Sequence, residues 1–274
     1  MSTEEPVASS ADRPGPVPSV GYAFGDVEAA ATRLQLLHRV FAQPSRLLVD
    51  VAASSPVGLA VDLGCGPGFT TRLLADRLRP TRLVGLDTSE AFLGQATAAM
   101  PTAEFVRHDV TEVPLPTGPS DLLHARFVLS HLAQPERVLT SWLTQLKPGG
   151  YLLIMEDEEI VANRSVLAAY EEMARALVAH RGGDLWVGAR LADVEPPHGC
   201  QTMLNRLYSH RIPVALAAQL FSMNFAIWRH DPFIVGTYPP SLLEELALEL
   251  ARTARNEHRG QVVFDLRLLA YRRR

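Results

Sequence analysis

Lysine is almost missing from this chain of 274 residues: Lys147 is the only one, and arginine supplies the other side-chain cations. Acids outnumber these bases, 30 against 26, for a formal net charge of −4. That balance excludes the basic footprint of a nucleic-acid-binding surface. Cysteine is scarce too. Two residues, Cys65 and Cys200, cannot build a disulfide framework, which fits a reducing cytoplasm. No apolar run reaches membrane-spanning length, and the first residues lack the charged-then-apolar pattern of a secretory signal. The nine histidines form no metal-ligand cluster; His108, His124 and His131 lack the spacing of a known site. Length and composition agree with a soluble enzyme, long enough to bury a substantial core in one domain. No nucleic acid, membrane or metal is expected as a partner.

What the chain does have is glycine concentrated in one place. Three glycines fall within five residues in Val61-Asp62-Leu63-Gly64-Cys65-Gly66-Pro67-Gly68. The short apolar run 58–63 predicts a buried strand, and 70–78 predicts the helix after it. Glycine accepts positive φ and has no Cβ, so this turn can bend sharply and let a ligand lie on the main chain. Strand, glycine turn and helix N-terminus together make a nucleotide-binding corner. A second strand, 83–86, ends in Asp87, about 20 residues past the glycines, where a doubly wound fold places the carboxylate that accepts from ribose hydroxyls. A third, 104–107, leads to Asp109 at a similar spacing. A fourth, 121–127, precedes a helix at 135–145. Lys147-Pro148-Gly149-Gly150 then opens a fifth, 151–155, ending in the acidic run Glu156-Asp157-Glu158. Strands alternating with helices imply an α/β fold of parallel βα units, with its crevice at the carboxyl ends of the strands.

A dinucleotide-binding dehydrogenase shares such a corner, but its fingerprint is G-x-G-x-x-G. Here the pattern is G-x-G-x-G, Phe69 stands where the third glycine belongs, and Pro67 removes a backbone N–H from any phosphate cradle. Outside the core, residues 1–19 are rich in Pro, Ser, Ala and acids and predict disorder. Residues 22–53 read as one or two helices, with Leu34, Leu36, Leu37, Val40 and Phe41 as an apolar stripe and a second piece at 44–51. Helical spacing recurs at 164–180, ended by Gly182-Gly183, and a short helix is expected at 188–194. A sixth strand is expected within 201–214. Residues 215–228 are strongly apolar, and their aromatics read as core packing. An amphipathic helix at 241–256 and a last strand at 262–271 complete the chain.

Together the motifs resemble the class I S-adenosylmethionine (SAM)-dependent methyltransferases. VDLGCGPG is similar to their glycine motif, VGLDTS to their ribose-binding strand and HDV (108–110) to their adenine-contacting segment. DLLHARFVLSHL resembles the fourth strand and the helix start after it, and LKPGGYLLIMEDE the approach to strand five. The resemblance covers about residues 20–158, and the last strand extends it to the C-terminal end. It implies a Rossmann-like seven-stranded sheet with a C-terminal antiparallel strand, as one domain over 20–274. Residues 20–55 would form an N-terminal helical lid, and 159–200 and 214–257 helical cap elements that close the pocket or form a homodimer surface. It implies SAM as cofactor. Gly64, Gly66 and Gly68 would let the backbone approach it, with Cys65 the small residue between them. Asp62 would help hold the ammonium group, Asp87 with Thr88 the ribose, and Asp109 with the Val110 N–H the adenine. The backbone near Ala125 and Arg126 would meet the ammonium too, and Tyr22 and Arg33 the carboxylate, although Arg33 reads equally as a solvated helix face.

The reaction implied is methyl transfer to a small molecule. His131, at the rim after strand four, is the candidate base; a capping or second-shell role is the other reading. Glu156 and Glu158, with Asp157 between them, and His210 on the sixth strand are candidate substrate contacts, against a solvated acidic loop. The absence of an Asn/Asp-Pro-Pro-aromatic tetrapeptide after strand four argues against methylation of nucleic-acid bases or of protein glutamine. The nearest resemblance is to the group holding trans-aconitate and quinone-ring methyltransferases and enzymes of bacterial specialised metabolism. Two other outcomes fit the same cofactor corner: a SAM-binding scaffold turned to cyclisation or rearrangement, and a non-catalytic SAM-binding protein.

Overall fold

Strand β1 (Leu59–Leu63) is buried at every position, so it must carry neighbours on both sides and both faces. It does. The computed structural model describes residues 28–162, 164–255 and 260–274. In it β1 pairs in parallel with β2 (Arg82–Asp87) on one side and with β4 (Ser120–Arg126) on the other. β3 (Glu104–Arg107) adds to β2, and β5 (Leu146–Ala162) adds to β4, both parallel. Two antiparallel strands, β6 (Cys200–Pro213) and β7 (Gln261–Arg273), complete a seven-stranded sheet in the order β3-β2-β1-β4-β5-β7-β6. The order reverses at β1 and β4, so a crevice opens between their carboxyl ends.

Side chains alternate across this sheet into two cores. Ala60, Leu122 and Leu153 face one layer, which holds α2 (Ala42–Val49), α3 (Phe69–Leu78), α6 (Ser165–His180), α8 (Val214–Trp228) and α10 (Pro240–Arg255). Val61, Leu123 and Leu152 face the other, with α5 (Pro135–Thr144) and α7 (Gly188–Ala192). α1 (Glu28–Val40) packs against α8, and α8 packs on α6 and α10, so a helical layer stands over the crevice.

Most expected elements lie within a residue or two of their sequence readings, and three differ. α4 (Glu90–Ala99), capped by Ser89 Oγ accepting from the Phe92 N–H at 3.2 Å, had no clear apolar stripe to announce it. The six-residue α9 (Pro232–Thr237) was likewise not anticipated. The third difference corrects the reading of β5, which does not stop at its acidic run but continues to Ala162. Its far half finds ladder partners on β7, from Asp157 opposite Leu266 to Ala162 opposite Val262, with a bulge between Asp157 and Glu159. Sequence alone saw three acids in a row; tertiary pairing overrides the low strand propensity of each. The expected tail at 1–19 lies outside the described residues.

One buried carboxylate fastens the centre. Asp62, on β1, accepts from Thr70 Oγ1 at 2.6 Å, Thr71 Oγ1 at 2.7 Å and His124 Nδ1 at 2.9 Å, joining β1 to the start of α3 and to β4. Asp62→Ala strands those donors in a dry interior and should cost about 3 kcal/mol or more. Urea unfolding measures it; a loss under about 1 kcal/mol would mean the three donors find other acceptors.

Candidate active site

The glycine turn has the backbone its sequence demands. Gly64, Gly66 and Gly68 take φ of +66°, +52° and +84°, and Gly68 leads directly into α3. A Cβ on Gly64 would sit 2.6 Å from Val128 Cγ2, so that position is closed to any side chain. At Gly66 a Cβ would meet nothing nearer than Leu34 Cδ1 at 3.8 Å; this glycine leaves space rather than avoiding a clash. Cys65 is buried with its Sγ against Gly85, and burial together with Asp62 and Asp87 pushes its thiol up, so it stays protonated and unreactive.

Beside the turn lies a cavity of about 530 Å³. One end is walled by the strand tips: Gly64 to Pro67, Asp87 to Ser89, and His108 to Val110. Asp87 is fixed here, its Oδ2 accepting from the Gly66 N–H at 2.8 Å and its Oδ1 from the Ser89 N–H at 2.9 Å. Burial raises its carboxyl above the usual value while those backbone donors pull the other way. Asp109 takes both its bonds, from the Thr111 N–H and hydroxyl, on Oδ1. Val110 is held by its carbonyl, which accepts from Trp142 Nε1 at 2.8 Å.

The other end is aromatic and lies under the helical layer. Phe41 meets Phe127 and Phe264 edge-on at 5.0 and 5.2 Å, and Tyr170 stacks on Phe221 at 4.2 Å. A polar chain crosses it: Arg33 donates to Asn224 Oδ1 at 3.1 Å, and Asn224 Nδ2 donates to the Tyr170 hydroxyl at 2.7 Å. Phe127, which lines the cavity just past β4, is one of two non-glycine residues with positive φ among the described residues, at +55°. A strained aromatic at such a tip is a common mark of a functional site.

The structure sorts the sequence candidates. Arg33, Gly64, Cys65, Gly66, Asp87, Thr88, Asp109, Val110, Arg126 and His131 all line the cavity. Asp62, Gly68 and Ala125 do not. Asp62, expected to hold an ammonium group, has its two oxygens engaged inside the fold. Gly68 serves the turn, and Ala125 is sealed in β4. Tyr22 lies outside the described residues. Of the substrate candidates, none of Glu156, Glu158 and His210 reaches the cavity wall. Glu156 Oε1 accepts from the Val128 and Leu129 N–H groups, both at 2.7 Å, and so shapes the turn below His131. Glu158 pairs with Arg267 at 2.7 Å, turned away by the β5 bulge. His210 is bonded through Nε2 to the Val40 carbonyl at 2.8 Å. Residues that sequence missed, among them Phe92, Tyr170, Glu171 and Asn224, come to the cavity from helices whose facing no local signal gives.

His131 is a poor base as it stands. Burial and the Arg33 and Arg181 guanidiniums lower its pKa to about 4, so the ring is neutral at pH 7 and holds an accepted proton weakly.

Comparison with known proteins agrees with this geometry. A family model described as a methyltransferase domain matches residues 61–154. Over 113 residues the chain is 39% identical to a trans-aconitate 2-methyltransferase from Paracidovorax citrulli, covering 41% of this chain and 44% of that one. The chain spans about half the length, or somewhat less, of the curated relatives it matches. A crystal structure of a Bacillus halodurans protein assigned as a methyltransferase superposes with a TM-score of 0.56 at 15% identity, over 84% of this chain and 98% of that one. The [4+2]-cyclase SpnF superposes with a TM-score of 0.54 at 17% identity, over 94% and 98%. These two share the fold, which by itself does not fix a chemistry. Sheet order and glycine corner give the chain a Rossmann-like methyltransferase fold, and its residues 61–154 are similar to a methyltransferase domain.

Two buried acids set the pH response. Burial raises Glu156 to about 7 and Glu171 to about 8, against an ordinary 4.5. The unfolded chain sheds these protons near the ordinary value and the folded protein keeps them longer. Their stabilisation is therefore complete on the acid side and is lost as pH climbs from about 5 to about 8. His38 and His131, lowered from 6.5 to about 4, add stability over the acid part of that window and oppose the fall. The urea midpoint should therefore drop most clearly between about 6.5 and 8. Glu171→Gln should flatten the drop, and an unchanged slope would contradict the shift at Glu171.

Proposed function

We propose that the protein transfers a methyl group from SAM to a small-molecule acceptor. One observation carries the reading: a single cavity joins the strand-tip corner to the aromatic pocket under α1, α6 and α8. The residues at the corner fit the cofactor. Gly66 leaves its own space open, as a cradle does. Asp87 accepts backbone donors from Gly66, Thr88 and Ser89 and still keeps a lone pair for a ribose hydroxyl. Asp109 and the Val110 main chain would receive the adenine, and Arg33 and the main chain at Arg126 the methionyl end. Pro67 costs the turn a donor that a phosphate would need and a ligand without phosphate does not.

SAM, when bound, supplies a methyl group already activated on a sulfonium, so the protein need make no electrophile. Its own tasks are then to hold the acceptor on line and to keep water out. The buried aromatics Phe41, Tyr170, Phe221 and Phe264 support both tasks. Residues 20–274 act as one domain in this reading, with 20–55 as lid and the stretches 159–200 and 214–257 as cap. The acceptor is a metabolite rather than a nucleic acid, which the net charge of −4 supports. Trans-aconitate is the acceptor named for the curated relatives, over a match to less than half of this chain in the first of them. Cyclisation on a SAM-binding scaffold is the second reading; SpnF shares the fold, which allows that chemistry without favouring it.

Asp87→Ala should weaken binding of S-adenosylhomocysteine by roughly 1 to 3 kcal/mol, the worth of charge-assisted hydrogen bonds. Calorimetry reads this directly, and equal affinity in the variant would remove Asp87 from the site. Transfer itself is tested by S-adenosylhomocysteine appearing only when an acceptor is supplied. Tight SAM binding without that product across a broad acceptor panel would favour the cyclase reading.

A further inference from the structure

The aromatic end of the cavity contains two carboxyl groups to which the methyl-transfer reading assigns no role. Glu171, on α6, is 7% exposed and lines the cavity, and its Oε1 has no hydrogen-bond partner. Asp157, at the β5 bulge, lines the same cavity, and its Oδ1 is equally without one. Leaving a buried acceptor unbonded is costly, so each such atom calls for an explanation. These two share one because they face one space whose other walls are largely apolar: Leu37, Phe127, Ile160, Leu220 and Phe221. A ligand that brings an N–H or O–H to that space completes both groups.

The surrounding charges agree. Burial lifts Glu171 to about 8 against the pull of Arg175 and with the push of Glu159. Burial, Glu156 and Glu171 lift Asp157 well above the carboxylate range. On the same wall Arg33 donates to Asn224 and Arg126 to Ser45 Oγ, each at 3.1 Å. Raised in this way, the two carboxyls offer a polyanionic acceptor no counter-charge, and burying its carboxylates in a largely apolar space is costly.

We propose that the acceptor is an apolar molecule bearing an amine or a hydroxyl, and that Glu171 and Asp157 bind that donor. The proposal rests on the methyltransferase reading and names the acceptor chemistry within it. It makes a carboxylate-rich acceptor such as trans-aconitate a poor fit, although the curated relatives are named for that compound.

The test uses the full chain saturated with S-adenosylhomocysteine and four probes at millimolar concentration: 4-phenylbutylamine, 4-phenylbutan-1-ol, 4-phenylbutanoate and trans-aconitate. Titration at pH 7 should show the amine or the alcohol binding at least roughly tenfold more tightly than either acid, the worth of one charge-assisted hydrogen bond. In Glu171→Gln and in Asp157→Asn the margin should shrink several-fold. Either acid binding as well as the amine and the alcohol, a preference that survives both substitutions, or no binding of amine and alcohol overturns the proposal. The wild-type comparison stands even if a variant fails to fold. Failure to bind S-adenosylhomocysteine at all would sink the methyltransferase reading instead, and the two failures are read separately.

Discussion

Asp62 holds the geometry on which every other feature of this site depends. A buried carboxylate with two hydroxyl donors and one imidazole donor is a rigid joint, because any movement of β1, α3 or β4 would leave one of those groups unbonded in a dry interior. The joint sets where α3 begins. That in turn fixes the backbone of the glycine turn, and the Gly66 N–H is then in place for Asp87 on the neighbouring strand. Asp62 does not line the cavity. It determines where the groups that do line it are found.

The cavity is built from two kinds of structure with different tolerances. At the strand tips, position is set by sheet register and by turns that few residues can enter; Gly64 has Val128 against it, and Glu156 holds the Val128 and Leu129 amides from below. Under the helical layer, position is set by packing of large side chains, with one polar chain from Arg33 through Asn224 to Tyr170 tying α1, α8 and α6 together. The first kind suits a fixed cofactor. The second suits an acceptor that can differ from one relative to the next, and the partial coverage of the curated matches is consistent with that division.

Legibility in the sequence divided along the same line. The corner was readable because its signals are local: glycines at a turn, acids one strand apart, an apolar run too short for a helix. Asp87, Asp109 and Arg126 were assigned to the cavity and stand there. Asp62 carried the same signal as Asp87, an acid beside the turn, but no sequence pattern reveals that two threonines and a histidine will consume its oxygens. Glu158 and His210 were drawn to the site by proximity along the chain to strand tips. A bulge and a backbone carbonyl took them elsewhere. Glu171 and Asn224 went unseen because their helices are apolar on several sides, and only tertiary packing decides which turn faces the pocket.

The most direct measurement is a crystal structure of the full chain with S-adenosylhomocysteine. The account predicts density for its ribose against the Asp87 carboxylate, its adenine beside Asp109 and the Val110 main chain, and its sulfur turned toward Phe127 and the aromatic pocket. Ligand seated elsewhere, or that corner filled by the protein's own side chains with Asp87 turned away, would contradict it.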